Sequence, residues 1–167
     1  MAASSDDAPT RSLLRRAAVP CLVVVLAAAT AFFGYQYYRY GHLEELRTSA
    51  VDAASRYTVD LATYDYNQKD ANLDTVAAQS TPEFGGKYRE VASQLQGILA
   101  QGEGVAKGSV PYAGLVSLDA DRAVVAVFLD QEVRNVMVPE GRTDVSRMIV
   151  TLVRSDDRWL LDAADTK

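Results

Sequence analysis

The 167-residue chain has one Cys, one His and one Trp, and its 49% hydrophobic content is unevenly spread. A single Cys rules out an intrachain disulfide and a thiolate zinc centre. A single His, His42, rules out His-rich metal sites and weakens every His-based catalytic scheme. The sequence has no GxxxxGK[ST] loop, no GxGxxG turn and no GxSxG elbow, so phosphate cradles and the strained serine turn have no local signature. Asp60, Asp65, Asp70 and Asp74 follow one another at steps of five, five and four, which do not hold one helical face. They therefore supply no convergent carboxylate pair for hydrolysis. Asp119 and Asp121 alternate in a turn without the Gly and terminal Glu of a calcium loop. No metal or cofactor is expected, and no enzyme.

Charge divides the chain. Residues 1–40 carry four Arg against two Asp, while residues 41–167 carry 13 Lys and Arg against 20 Asp and Glu. An acidic folded part repels phosphate backbones, so nucleic acid is not an expected partner. Residues 17–34 contain no charged side chain, and Tyr35, Tyr37, Tyr38 and Tyr40 follow them. About 20 helical residues cross a hydrocarbon core of roughly 30 Å, and tyrosines favour the headgroup level. Pro20 lies in the first turn of that helix, where its missing N–H costs nothing. The expectation is a disordered cytoplasmic tail over 1–16, a transmembrane helix over 17–38 and an extracytoplasmic domain over 39–167.

A cleaved signal peptide competes with this reading, since Arg11, Arg15 and Arg16 precede the run and Ala29-Thr30-Ala31 has the small-x-small form. The apolar character continues through Phe32 and Phe33 to the tyrosine belt, which favours an uncleaved anchor. Cys21 opens the apolar run, whereas a lipidated Cys follows one; it reads as a small apolar side chain. The arginines before the span place the N-terminus in the cytoplasm, and the protein in the plasma membrane.

After Gly41, apolar side chains recur at Leu43, Leu46, Ala50, Ala53, Tyr57, Leu61 and Tyr64, the steps of three and four of an amphipathic helix. A short helix is expected around residues 73–79, and Ser80-Thr81-Pro82-Glu83 reads as the start of a third. Phe84, Tyr88, Val91, Leu95, Ile98 and Leu99 continue it, and Gly102 and Gly104 should end it in left-handed fashion. β-branched residues then dominate. Strands are expected over 105–118, with a break at Pro111, and over 123–135, 146–154 and 158–163. Tight turns are expected at 119–122 and 155–157, and a longer loop over 136–144 with Pro139 and Gly141. Three helices followed by an antiparallel sheet of about four strands define an α+β domain.

The order of motifs resembles a known family. An anchor helix leads to a helix ending in Tyr64-Asp65-Tyr66, then Asp70, then Thr81-Pro82-Glu83-Phe84 and Tyr88. The chain closes with Ser146-Arg147, Val150-Thr151-Leu152-Val153-Arg154 and Asp157-Arg158-Trp159-Leu160. This resembles the Mce-associated membrane proteins of actinobacteria, named for mammalian-cell-entry systems, over about residues 20–162. The resemblance implies a cone-shaped NTF2-like domain, similar also to periplasmic domains of secretion-system scaffolds. It further implies an accessory role beside lipid-importing Mce transporters, with permease and substrate-shuttle subunits as partners and no catalytic residues to carry over.

Six residues stand out as candidate interaction or structural positions: Tyr64, Asp65, Tyr66, Asp70, Arg158 and Trp159. Asp65 and Asp70 are expected to cap a helix start or accept bonds from a turn, rather than to face a ligand. Tyr57, Tyr64 and Phe84 could line an apolar pocket, but at helical spacing they are expected in the core. Trp159 should close the sheet against the long helix with its indole N–H on a carbonyl; the other reading is a partner hot spot shared with Arg158. His42 reads as a solvated residue at the membrane edge. Three functions follow in descending order. The first is an accessory protein docking through its sheet face and edges. The second is a lipid-binding module holding an acyl chain or sterol in the cone, where Val105, Val110, Leu115, Val125, Val127 and Leu129 line a cavity or fill it. The third is an enzyme using Asp65 with a nearby Tyr.

Overall fold

The computed structural model describes residues 9–167, with the side chains of residues 9–22, 24–25, 38–40, 42, 69–71 and 96 outside the description. Residues 1–8 of the expected tail lie outside it, while residues 9–16 are helical rather than disordered, the start of α1. The elements are α1 (Pro9–Ala62), β1 (Tyr64–Asp65), α2 (Lys69–Ala78), α3 (Pro82–Gln101), β2 (Val105–Leu118), β3 (Arg122–Asn135), β4 (Val138–Ser155) and β5 (Arg158–Thr166). The chain divides into two compact units, Met1–Glu45 and Leu46–Lys167.

In the first unit the described backbone is helical throughout. Val23, Leu26, Phe32, Phe33, Tyr35 and Tyr37 are exposed. Thr30 donates its hydroxyl proton to the carbonyl of Leu26 at 2.8 Å, which satisfies the one polar side chain of the apolar run inside the helix. Among the described residues no helix is long and apolar enough to cross a membrane. The run at 17–34 lies only partly among them.

The second unit is an antiparallel five-stranded sheet in the order β1-β2-β3-β4-β5, packed against residues 46–62 of α1. The helical stripe holds at its centre. Leu46, Ala50, Ala53 and Ala54 are buried, and Tyr57 and Leu61 pack against the same cluster. Alanines give this face little relief, so the helix axis comes close to the sheet. Val125, Val127, Val150, Leu152 and Leu161 meet it from the strands, all within 1% of complete burial. The stripe's ends depart from expectation. Leu43 is exposed, and the helix stops at Ala62, so that Tyr64 and Asp65 form a two-residue edge strand paired with Ala106 and Val105. The sheet thus has five strands rather than four, because a strand of two residues leaves no alternation to read.

Thr81 caps α3 as expected, accepting the Phe84 N–H on its hydroxyl at 3.3 Å with Pro82 in the first helical position. The other end is a correction. Gly102 keeps a right-handed conformation (φ −85°), and the left-handed residue is Glu103 (φ 49°). Gly104 N–H closes the motif on the Leu99 carbonyl at 2.9 Å.

The loop expected over 136–144 is also a correction. β3 and β4 join through a tight turn at Val136 and Met137, where Asn135 Oδ1 accepts the N–H groups of Met137 and Val138 at 2.9 and 3.0 Å. Pro139 is tolerated because β5 pairs with β4 only from Met148 onward, so this stretch has β3 on one side alone. Gly141 takes φ +80° where the register with β3 shifts. The expected break at Pro111 is a bulge between Ser109 and Tyr112 rather than an end to β2.

Candidate functional site

The C-terminus of α1 has no glycine after it, and its last carbonyls need partners from elsewhere. Asn72 of α2 donates its amide to the carbonyls of Asp60 and Thr63, at 2.8 and 2.6 Å. Gln131 of β3 donates to the Ala62 carbonyl at 2.6 Å. Tyr88 of α3 then donates its hydroxyl proton to Asn72 Oδ1 at 2.7 Å. One side-chain chain therefore runs from α3 through α2 to the end of α1, and it holds the strand β1 that follows. Asp65 accepts the Asn67 N–H on Oδ1 at 2.8 Å, the turn role expected of it, and Tyr66 N–H reaches the Gly104 carbonyl at 3.1 Å. The side chain of Asp70 lies outside the described residues.

Between β1, α2 and α3 this frame encloses a cavity of about 310 Å³. Its wall is mostly aliphatic, with Leu61, Leu73, Val91, Ala92, Leu95 and Leu99, and Tyr64, Asp65 and Tyr66 also border it. Burial raises the hydroxyl pKa of Tyr88, and burial followed by the Asp144 carboxylate raises that of Tyr64. A second, more polar recess of about 460 Å³ lies against β1 and shares Tyr64, Asp65 and Asn72 with the first. By contrast, Val125 and Val127 are fully buried against α1: they fill the cone rather than line a void.

The raised Tyr88 pKa sets a pH dependence. The folded chain keeps a proton that the unfolded chain releases near pH 10, so the contribution is complete below that value and lost as pH rises beyond it. Tyr88→Phe removes this dependence and deprives Asn72 Oδ1 of its donor. It is expected to destabilise the domain by about 1 kcal/mol at pH 7, with a smaller difference from wild type above pH 10. Urea unfolding followed by the fluorescence of Trp159 at the two pH values checks both statements.

Trp159 and Arg158 lie apart from this cavity. Trp159 is buried in the main core, donating its indole N–H to Ser49 Oγ at 3.0 Å while its carbonyl accepts the Tyr57 hydroxyl at 2.6 Å. In place of the expected carbonyl, the acceptor is a serine hydroxyl on α1. Arg158 is exposed, paired in register with Ser155 across the β4–β5 turn. Phe84 packs against the core as expected and stacks on Tyr88 with ring centroids 6.4 Å apart. Asn72 and Gln131 were not singled out from the sequence, since an amide serving carbonyls on a distant helix leaves no local pattern.

The outer face of the sheet carries a separate feature. Phe128 on β3 points away from the side of Val127 and Leu129, and its cross-strand neighbours are Tyr112 and Arg147. Tyr112 is 75% exposed, Phe128 44% and Val145, two residues along β4 from Arg147, 72%. Among the described residues no three His, Cys, Asp or Glu side chains converge on a metal position.

The family model described as "Uncharacterized protein Rv1363c/MT1408-like" matches residues 11–162. Two Mycobacterium tuberculosis proteins, uncharacterized protein Rv1362c of strain H37Rv and uncharacterized protein MT1407 of strain CDC 1551, are each 27% identical over 143 residues. The alignment takes in 84% of this chain and 65% of each relative, so the chain spans about two thirds of their length. Among solved structures, an IcmL-like type IV secretion system protein of Legionella pneumophila superposes with a TM-score of 0.62 at 11% identity, covering 72% of this chain and 91% of that one. The periplasmic domain of DotI gives 0.62 at 9% identity, with 72% and 94% covered. CagV of Helicobacter pylori, a VirB8 homolog, gives 0.56 at 9%, with 72% and 97% covered. These likenesses show the fold, an α+β domain with a curled antiparallel sheet of the kind found in NTF2-like and VirB8-like periplasmic domains.

Proposed function

The chain belongs to the Rv1363c/MT1408-like family, and from that premise we propose that it is a membrane-anchored, non-catalytic accessory subunit that docks on and stabilises an Mce-type lipid-import complex in the cell envelope. The observation that carries docking is the exposure of Tyr112, Phe128 and Val145 on the outer face of the sheet, interspersed with Asp130 and Arg147. Aromatic side chains on a rigid strand lose little entropy on contact and are enriched where partners meet. The anchor reading is supported by the uncharged run at 17–34 and the tyrosines after it. In that reading the N-terminus is cytoplasmic, the protein sits in the plasma membrane as a single-pass chain, and residues 39–167 lie outside. The choice of an Mce transporter, with its permease and substrate-shuttle subunits as partners, is supported by the motif order from Tyr64-Asp65-Tyr66 to Arg158-Trp159. Two of the neighbours of known structure, the IcmL-like protein and CagV, are type IV secretion system proteins, which supports a scaffolding use of the fold.

Affinity purification of the tagged full-length protein from gently solubilised native membranes tests this. Permease and shuttle subunits should accompany the wild type at stoichiometric levels. Phe128→Lys, at a side chain already exposed, should lower their recovery about tenfold or more, as loss of a central contact does. A protein that purifies without them overturns the reading.

A further inference from the structure

The cavity between β1, α2 and α3 is bordered by six aliphatic side chains, yet Val91 and Leu95 at its mouth are 54% and 46% exposed. Three of its polar wall groups already have partners: the Tyr88 hydroxyl donates to Asn72, the Asn72 amide donates to two backbone carbonyls, and an Asp65 oxygen accepts the Asn67 N–H. The rest of the wall is mainly aliphatic, so an apolar body gains most from covering it. We infer that this cavity binds the hydrocarbon chain of a small single-chain amphiphile with an uncharged head.

Size selects the occupant. An aliphatic cavity of about 150 Å³ takes one benzene ring, so about 310 Å³ takes on the order of 12 carbons. A sterol skeleton or a two-chain lipid is too large. One turn of a partner helix, about 10–12 Å across and 5.4 Å long, occupies roughly 500 Å³ and does not fit either. Charge selects the head. The Asp65 carboxylate is part of the wall, and it repels a fatty-acid carboxylate while leaving an alcohol or a glycerol ester unaffected. The site is separate from the apolar sheet face, and the inference stands whether or not that face docks on a transporter.

The test is photolabelling of the full-length protein in nanodiscs with a diazirine-bearing dodecanol, mapped by peptide mass spectrometry. Labelling of α3 peptides should saturate and be displaced by unlabelled dodecanol but not by cholesterol. Ala92→Trp fills the cavity and should reduce α3 labelling about tenfold, with labelling of residues 17–34 as the internal reference. Leu95→Glu, at a position exposed enough to accept a charge, should act alike and serves if the tryptophan disturbs folding, as read by circular dichroism. Asp65→Asn should raise labelling by the corresponding photoreactive dodecanoate. The inference is overturned if α3 peptides label no more than those containing Phe128. It is equally overturned if both cavity variants leave labelling unchanged, or if cholesterol competes as well as dodecanol.

Discussion

Trp159→Ala is expected to destabilise the second unit by about 3–5 kcal/mol, the range for removing a buried aromatic. Trp159 is 6% exposed and sits in one cluster with Ala50, Ala53, Val125, Leu152 and Leu161. Most of the surrounding side chains are alanines and valines, which are short or stiff, and Leu152 and Leu161 are themselves fully buried, so the space is not readily refilled. Its loss also leaves Ser49 Oγ without the indole N–H that reaches it at 3.0 Å. Domains of this size are stable by about 5–15 kcal/mol, so the variant loses a large share of that margin. Trp159→Phe keeps most of the packing and loses the hydrogen bond, and is expected to be the milder change by several-fold. Urea unfolding followed by circular dichroism separates the two. Equal midpoints for the alanine variant and wild type would contradict this account of the core.

Gly108→Val is the second large effect, expected at about 1–3 kcal/mol or more because it overfills a tight contact. Gly108 lies on β2 where the strand passes beneath the last turn of α1. A Cβ there would stand 2.7 Å from Ala62 Cβ, 3.3 Å from the Val59 carbonyl oxygen and 3.4 Å from Leu129 Cδ1. The nearest atom belongs to a methyl with no rotamer to change, and the next to helix backbone, so relief requires moving α1 itself. That movement would pull on the Gly108 N–H bond to Thr63 Oγ1 at 3.1 Å and on the amide bonds that cap the helix. Adding Ala62→Gly removes the first clash, and the double variant should be more stable than the two separate losses predict. Thermal melts of the four proteins measure that coupling; additivity would show that the close approach is not the cause.

These two sites differ in how far the sequence discloses them. Trp159 follows a turn marked by Ser155-Asp156-Asp157 and opens a strand of apolar residues, so its place on a closing strand is legible from local pattern. Its partner is not, since Ser49 stands 110 residues earlier with nothing in its neighbourhood to mark it. Gly108 has no local signal; only the closeness of the Ala62 face explains it. The helices were readable where spacing and caps coincide, as at Thr81-Pro82, and the strands where β-branched residues cluster. Misreadings fell where tertiary contacts override local preference. Asn72 and Gln131 end α1 without a glycine, which frees Tyr64 and Asp65 to enter the sheet. Pro139 and Gly141, loop formers by composition, lie in β4 because one side of that stretch has no neighbouring strand to satisfy. The cavity could not be read at all, because its wall is assembled from α3 and parts of three other elements, α1, β1 and α2.

The linker between α2 and α3 runs beside β5, with Thr81 N–H on the Leu161 carbonyl at 2.8 Å and Leu161 N–H on the Gln79 carbonyl at 2.9 Å. The last strand is therefore gripped on both sides, by β4 and by a segment about 80 residues ahead of it in the chain. Strands β2, β3 and β4 are successive hairpins, able to form as each pair is synthesised. The helix face of Ala50 and Ala53 has no such local cover. During vectorial synthesis β3 and β4 cover part of it, and Trp159 and Leu161 complete the cluster, so that β5 closes the core and the sheet's edge in one step. The order of arrival makes β5 a clasp: slow delivery of those few residues leaves a nearly finished sheet with an uncovered edge, the state most exposed to a holding chaperone or to association with another chain.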